Sequence, residues 1–551
     1  MTPWSRFINL LKLDKKDIRQ IFYYAIFAGL VALTLPLGIQ AIINLLQGAQ
    51  VSTSWIILVV LVTLGVAFQG VLQVMQMRIL ESVQQKIFTR ASFEFAYRFP
   101  KIQMKELYNY YPPELANRFF DVLIIQKGLS KILIDFPAAA LQIVFGLILL
   151  SFYHTFFILY GLLLVLLIYF VFRFTARRGL DTSLLESKNK YRVAHWIQEV
   201  SRSLTSFKLS GNTSLAMDKN DDLTAAYLDA RENHFRILIL QFLQLVGFKI
   251  LVTAGLLIIG GLLVLNQQMN IGQFVAAEII ILLVITSVEK LIRGLESVYD
   301  VLTSLEKIGQ IVDKELESQS GEDPFQLDRD LKIELENITY RNPEGIKILR
   351  ELNFKIQQDS RILLDGKSGS GKTTLLKILS GLVVPTYGAF YVNDVSMLGI
   401  WPNKYRANVG QVLPSQLPFE GTILENITFG RKDISIGYLN EVLENLGLLA
   451  FVKTQPKGLN TILYPEGQQI PFTVSKRILL ARAIVHQPKL LLLKDPLEYL
   501  ENEEAERLIK YLTAKERPWA LVVSSQNENW RAHCNKIIEI SNGKIINKAA
   551  L

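Results

Sequence analysis

The chain holds a single cysteine, Cys534, in 551 residues. An internal disulfide framework is therefore excluded, and the C-terminal region suits a reducing compartment. Histidine is almost as scarce, and His154, His195 and His234 are too scattered to read as metal ligands. Residues 1–20 show no small-residue cleavage site, which argues against a removable signal peptide. Base-reading motifs, internal repeats and low-complexity tracts are missing too. Nucleic acid is therefore not an expected partner, even at a net charge of +9.

What the chain has in abundance is apolar sequence, unevenly placed. Six runs, at 21–46, 55–77, 132–152, 155–172, 238–265 and 271–292, are each long enough to cross a bilayer. Gln40, Gln69, Gln142, Lys249 and Glu278 interrupt them, which is tolerable where they face a bundle interior or an aqueous cavity. Lys249 and Glu278 are functional candidates by default; they either face such a cavity or pair with each other. Two long connections are rich in cations. The first carries Arg78, Lys86, Arg90, Arg98, Lys101 and Lys105; the second carries Arg173, Arg177, Arg178, Lys188, Lys190 and Arg192. Positive charge marks the cytoplasmic side, so an even number of spans leaves both termini there. The expectation is a multi-pass protein of the cytoplasmic (inner) membrane, with the lipid bilayer as partner and these clusters as the source of the net charge. In residues 1–20, Trp4, Phe7, Leu10 and Leu11 alternate with Arg6, Lys12, Lys15 and Lys16. That stretch reads either as a helix in the membrane interface or as an ordinary solvated N-terminus.

Residues 21–314 then form a transmembrane domain, and the polar stretch 315–328 has the composition of a linker. Beyond it, 331–340 and 348–356 alternate as strands, and 490–493, 521–523 and 537–540 read as short buried ones. With helices between them, residues 329–551 read as an α/β domain with a parallel core. Within it lies Gly366-Lys367-Ser368-Gly369-Ser370-Gly371-Lys372-Thr373, a complete G-x-x-x-x-G-K-[ST] phosphate-binding loop, followed by Thr374. The apolar stretch 362–364 before it reads as a strand and 374–379 after it as a helix, the context such a loop requires. Glycines let backbone N–H groups close around phosphate oxygens; Lys372 would reach the β/γ phosphates, and the Thr373 hydroxyl would face Mg²⁺.

Six spans, two long cytoplasmic loops and a C-terminal P-loop domain resemble an ABC exporter half-transporter, of the type I secretion or multidrug-exporter kind. The segments Ser380-Gly-Leu-Val-Val-Pro-Thr-Tyr-Gly388, 409–427 and 476–493 carry the resemblance further, and it covers essentially the whole chain. Tyr111-Pro-Pro-Glu-Leu-Ala-Asn-Arg118 looks like the coupling-helix segment of that family. No peptidase domain of the kind some peptide exporters carry is expected, since the membrane domain starts near residue 21.

Laid on the family pattern, this chain departs where the chemistry occurs. The signature that clamps γ-phosphate from the opposite subunit falls on Ile470-Pro471-Phe472-Thr473-Val474, which supply neither glycine nor serine. The Walker B Asp-Glu pair falls on Lys494-Asp495. A lysine there repels a divalent ion, at roughly 3 kcal/mol per unit charge for about 5 Å and an effective dielectric near 20. Lys494 would then meet phosphate itself or swing onto Asp495, and Asp495 is one methylene shorter than the usual base. The Q-loop glutamine falls on Pro414, with Gln411 and Gln416 as substitutes after a local shift. The sensor histidine falls on Ser525, the D-loop on 498–501, and the adenine-stacking aromatic on Asn342, near Tyr340, which faces either the core or adenine.

The resemblance implies transport by a dimer, with itself or with a second half-transporter, together with a periplasmic adaptor. ATP would bind at residues 366–374, Mg²⁺ dependence stays open, and hydrolysis is impaired, with Asp495 the weak remaining catalytic group. A nucleotide-gated channel, a scaffold of a secretion complex, and an ordinary ATP-driven pump are the rival readings.

Overall fold

Helices that are apolar on every side need a solvent that is itself apolar. In the computed structural model, which describes residues 2–47, 53–326, 330–498 and 500–550, five helical segments are long and apolar enough to cross a membrane: Lys15–Gln47, Thr53–Lys101, Pro112–Ser151, Leu215–Leu265 and Ile271–Val312. In Thr53–Lys101 only 11% of the most apolar window is buried at a mean hydropathy of 2.4, and Ile56, Leu61, Leu64 and Phe68 point outward. The fourth predicted span, 155–172, is the start of one helix, Phe156–Arg202. Its segment Phe156–Tyr169 is apolar, and the side chains of 170–177, Arg173 and Arg177 included, lie outside the described residues. The linker's end at 327–328, the expected domain start at 329 and Tyr499 also lie outside them.

The chain divides into two units. The first comprises Met1–Pro100 and Tyr110–Lys314; the second comprises Lys101–Asn109 and Glu315–Leu551. In the first, the helix Leu215–Leu265 has 51 residues. At about 1.5 Å per residue it runs well over twice the roughly 30 Å of a hydrocarbon core, so much of it projects beyond. The helix Ile271–Val312 is the most buried. Its Ile280, Val284, Val288 and Ile292 pack with Ile143, Leu150, Phe157, Val252 and Leu256.

Two expectations about this unit change. Lys249 pairs with Glu289, not with Glu278, and Arg293 joins them at 2.7 Å from Glu289; Glu278 is exposed. The N-terminal helix Pro3–Leu13 is neither isolated nor merely solvated. Phe7 is buried with Val298, Val301, Leu302 and Leu305, while Arg6 reaches Glu306 and, at 2.6 Å, Asp313. The three histidines stay apart: His195 sits 3.0 Å from Glu114, His234 2.8 Å from Thr182, and His154 stacks on Phe156. The coupling-helix segment forms a short helix, Pro112–Asn117, anchored by a fully buried Leu115.

The second unit is built on twelve strands among the described residues. In chain order they are β1 Lys332–Arg341, β2 Lys347–Gln357, β3 Arg361–Asp365, β4 Tyr387–Val392, β5 Val395–Ser396, β6 Val409–Val412, β7 Gly421–Thr422, β8 Ile462–Leu463, β9 Leu490–Lys494, β10 Ala520–Ser524, β11 Lys536–Ser541 and β12 Lys544–Ala550. One sheet has the order β2-β1-β4-β5. The main sheet has the order β12-β11-β3-β10-β9-β6, and β7 pairs with β8. Five main-sheet strands run parallel, with β12 antiparallel at one edge. Leu490, Leu491, Leu492 and Leu493 are fully buried because helices cover both faces, so alternation vanishes there. Cys534 is buried against this core, and burial pushes its thiol up to about 12.

Candidate nucleotide-binding site

Parallel strands deliver their C-terminal ends to one edge, and in open α/β sheets that edge is where ligands bind. Register brings three such ends together: Leu363 lies opposite Val523, and Ser524 opposite Lys494. From β3 the chain enters the loop at Gly366, whose φ of 135° only glycine adopts without strain. A Cβ there would lie 2.1 Å from the Ile540 carbonyl oxygen, so the tight turn has no room for a side chain. Gly371, at φ 107°, caps the helix Lys372–Leu379, whose N-terminus faces the loop.

The result is a cleft of about 560 Å³. It is lined by Gly366, Ser368, Gly369, Ser370, Gly371, Lys372, Thr373 and Thr374, and on the far wall by Lys494, Ser524, Ser525 and Arg531. Lys367 contributes its carbonyl, which accepts from Lys372 Nζ at 2.8 Å. The same ammonium donates to Gly366 O and reaches Ser370 Oγ at 3.4 Å. Burial, and next the cation Lys494, push the Lys372 ammonium below its usual range; Asp365 and Asp495 pull it back. Helix N-terminus, glycine turn and lysine together make an anion site.

Of the other predicted positions among the described residues, only Lys494 and Ser525 line this cleft. Lys494 turns onto Asp495, one of the two alternatives the sequence left open, and the side chain of Lys494 is mostly buried. Asp495 is not among the lining residues. Thr373 is the loop hydroxyl expected to face a divalent cation, but the β9 position that should supply the partner carboxylate is Lys494, and the cleft's Asp365 is paired with Arg531. The expected Thr373–carboxylate pair for Mg²⁺ is therefore not assembled. Pro414 is exposed in a turn closed by Gln416, whose Oε1 accepts from Leu413 N at 3.1 Å. Gln411 and Gln416 line a separate cleft with Arg482 and His486, so neither replaces the Q-loop glutamine at the phosphate site. Asn342 is spent on a turn, accepting from Ile346 N at 2.8 Å, and Tyr340 packs on the core. Pro471 precedes the helix Phe472–Ile484, to which no side chain donates a cap. Ile470 and Val474 pack on the core, Thr473 is half-buried, and Phe472 is exposed beneath Lys476. His533 is bound to Glu506 at 2.7 Å, away from the cleft.

Residues 349–498 match the ABC transporter family model. Over 97% of this chain and 95% of the other, the structure superposes on a bacterial Atm1-family ABC exporter solved with ATP bound, with a TM-score of 0.85 and 15% identity. The chain has the ABC exporter fold. It joins a helical membrane region of multi-pass type to an ABC nucleotide-binding domain. Among curated relatives, an export ATP-binding/permease protein of Rickettsia bellii is 26% identical over 334 residues, covering 60% of this chain and 58% of that one. The alpha-hemolysin translocation ATP-binding protein HlyB of Escherichia coli O157:H7 is 26% identical over 307 residues, covering 55% and 43%. The chain thus spans less than two thirds of these relatives' lengths.

Two residues of this ABC domain escaped the sequence reading. Asp365 accepts from Gly366 N at 2.7 Å and pairs with Arg531. Asp365 could have been found, since it abuts the loop's first glycine. Arg531 could not, because 166 residues separate it from its partner.

Proposed function

We propose that this chain is a subunit of a dimeric ABC exporter of the cytoplasmic membrane that binds ATP at residues 366–374 and barely hydrolyses it. The observation that carries the reading is the Lys494–Asp495 ion pair at the end of β9, set against an intact phosphate loop. A cation stands where the metal-holding carboxylate is expected, and it also neutralises Asp495, the acid at the position expected to orient water. Binding would draw the two cytoplasmic domains of a dimer together. Pairing with itself leaves two sites with a sound loop, a broken Walker B and a broken opposing signature. Pairing with a competent half-transporter still impairs both, since one site takes its Walker elements from here and the other its signature. The translocation role in the name of HlyB supports export, and a periplasmic adaptor is the further partner we propose.

Phosphoryl transfer to water is mainly a positioning task. Loss of one stabilising group typically costs about 2–4 kcal/mol, roughly a hundredfold in rate, and losses within one site need not add. Steady-state ATPase assay of the full chain in lipid nanodiscs, with Lys372→Ala as control, tests the proposal. Turnover near background is expected. Turnover of about one per second or more, abolished by Lys372→Ala, would overturn it.

A further inference from the structure

The cleft holds one ion pair that the nucleotide reading leaves unused. Arg531, on the short helix Asn529–His533, donates through Nη2 to Asp365 Oδ2. The other oxygen of that carboxylate accepts from Gly366 N at 2.7 Å, the first amide of the phosphate loop. Gly366 O in turn accepts from Lys372 Nζ. A fixed negative charge is thus seated at the entrance of a site built for anions, where it repels polyphosphate.

Among the described residues, three cationic side chains line the cleft: Lys372, Lys494 and Arg531. The first belongs to the loop and the second is held by Asp495. The third is held only by a pair whose members are 50% and 36% exposed, and such a pair contributes little stability. The wall it shares carries Ser524, Ser525, Gln526, Asn527 and Glu528, none of which brings positive charge to a phosphate. A guanidinium meets phosphate oxygens with two parallel donors, which the single ammonium of Lys494 does not.

Resting on the nucleotide-binding reading, we infer that Arg531 is a binding residue for the terminal phosphate of a nucleoside triphosphate, and that Asp365 competes with that phosphate for it. Asp365 thereby sets the affinity of the site: ligand must displace the carboxylate from Arg531 before the guanidinium turns inward. ATP gains from the exchange more than ADP, because only ATP carries the third phosphate.

Calorimetric titration of ATP and of ADP into the full chain in nanodiscs, with chelator present, tests this through a double-mutant cycle. Asp365→Asn keeps an acceptor for Gly366 N and should tighten ATP about tenfold, while Arg531→Ala should weaken it about tenfold, the scale of one charge-assisted contact. In the Asp365→Asn background, where nothing competes for the guanidinium, Arg531→Ala should weaken ATP by a larger factor, up to about a hundredfold, and ADP by clearly less. If Arg531→Ala has no effect in that background, Arg531 merely neutralises Asp365 and the inference fails. Equal losses for ATP and ADP overturn it too. Lys372→Ala separates the two levels: failure of that control to weaken ATP, or no ATP binding by the unmodified chain, would instead remove the nucleotide reading beneath.

Discussion

The C-terminal ends of β3 and β9 lie on the same edge of one sheet, separated only by β10, and they have diverging fates. At β3 every backbone requirement of a phosphate site is met: glycines at φ 135°, 79° and 107°, a helix start, and a lysine over the loop. At β9 the strand is equally regular and equally buried, yet its terminal side chains, Lys494 and Asp495, satisfy each other. Binding depends on backbone shape, which glycine positions fix. Turnover depends on a few charged side chains, which can be exchanged without disturbing the sheet. A chain can therefore keep the first while dispensing with the second.

The largest way to break this contrast is to spoil the β3 end. Gly366→Ala places a methyl against the Ile540 carbonyl at a left-handed φ. We expect a loss of about 3 kcal/mol or more in domain stability, read by denaturant melts, with ATP binding gone. Lys372→Ala is milder. It should leave the melt unchanged and weaken ATP roughly thirtyfold, as removal of a charged donor does. Next comes the β9 end, where Lys494→Asp removes the cation and restores a carboxylate. Unmodified protein should bind labelled ATP about equally with and without chelator; the variant should gain roughly tenfold from Mg²⁺. Strict Mg²⁺ dependence of the unmodified chain would contradict the contrast. The smallest effect is expected from Asp495→Glu, which lengthens the acid but leaves Lys494, Ser525 and 470–474 as they are. Its ATPase rate in nanodiscs should stay within about twofold of background.

The parts legible in the sequence were those fixed by short-range chemistry. Leu490–Leu493 could only be a buried strand, and the loop announces itself because its glycines and lysine are contiguous. Ion pairing was not legible, because it is settled by rotation and register. Lys249 chose Glu289 over Glu278 through its height along the neighbouring helix, since the two glutamates share nearly one face of Ile271–Val312 about 16 Å apart, and composition does not encode that register. The N-terminal helix shows the same limit. Its apolar face suits a lipid interface or a protein groove alike, and what decides is Arg6 finding Glu306 and Asp313 some three hundred residues on. The strand β6, Val409–Val412, was hidden for another reason: four residues with Gly and Gln inside carry no periodic signal of their own.

Cys534 has a consequence for how motion in this molecule can be watched. Thiol reagents react with the thiolate, and a buried thiol raised to about 12 offers almost none at neutral pH, against a few per cent for an exposed one. The natural chain is therefore silent to maleimide labelling while folded. A single cysteine introduced on an exposed surface becomes the sole reporter, with no background to subtract and no native residue to delete. Two such cysteines, one on each unit, would carry a dye pair that tests for movement on adding ATP, whether or not a phosphate is ever cleaved.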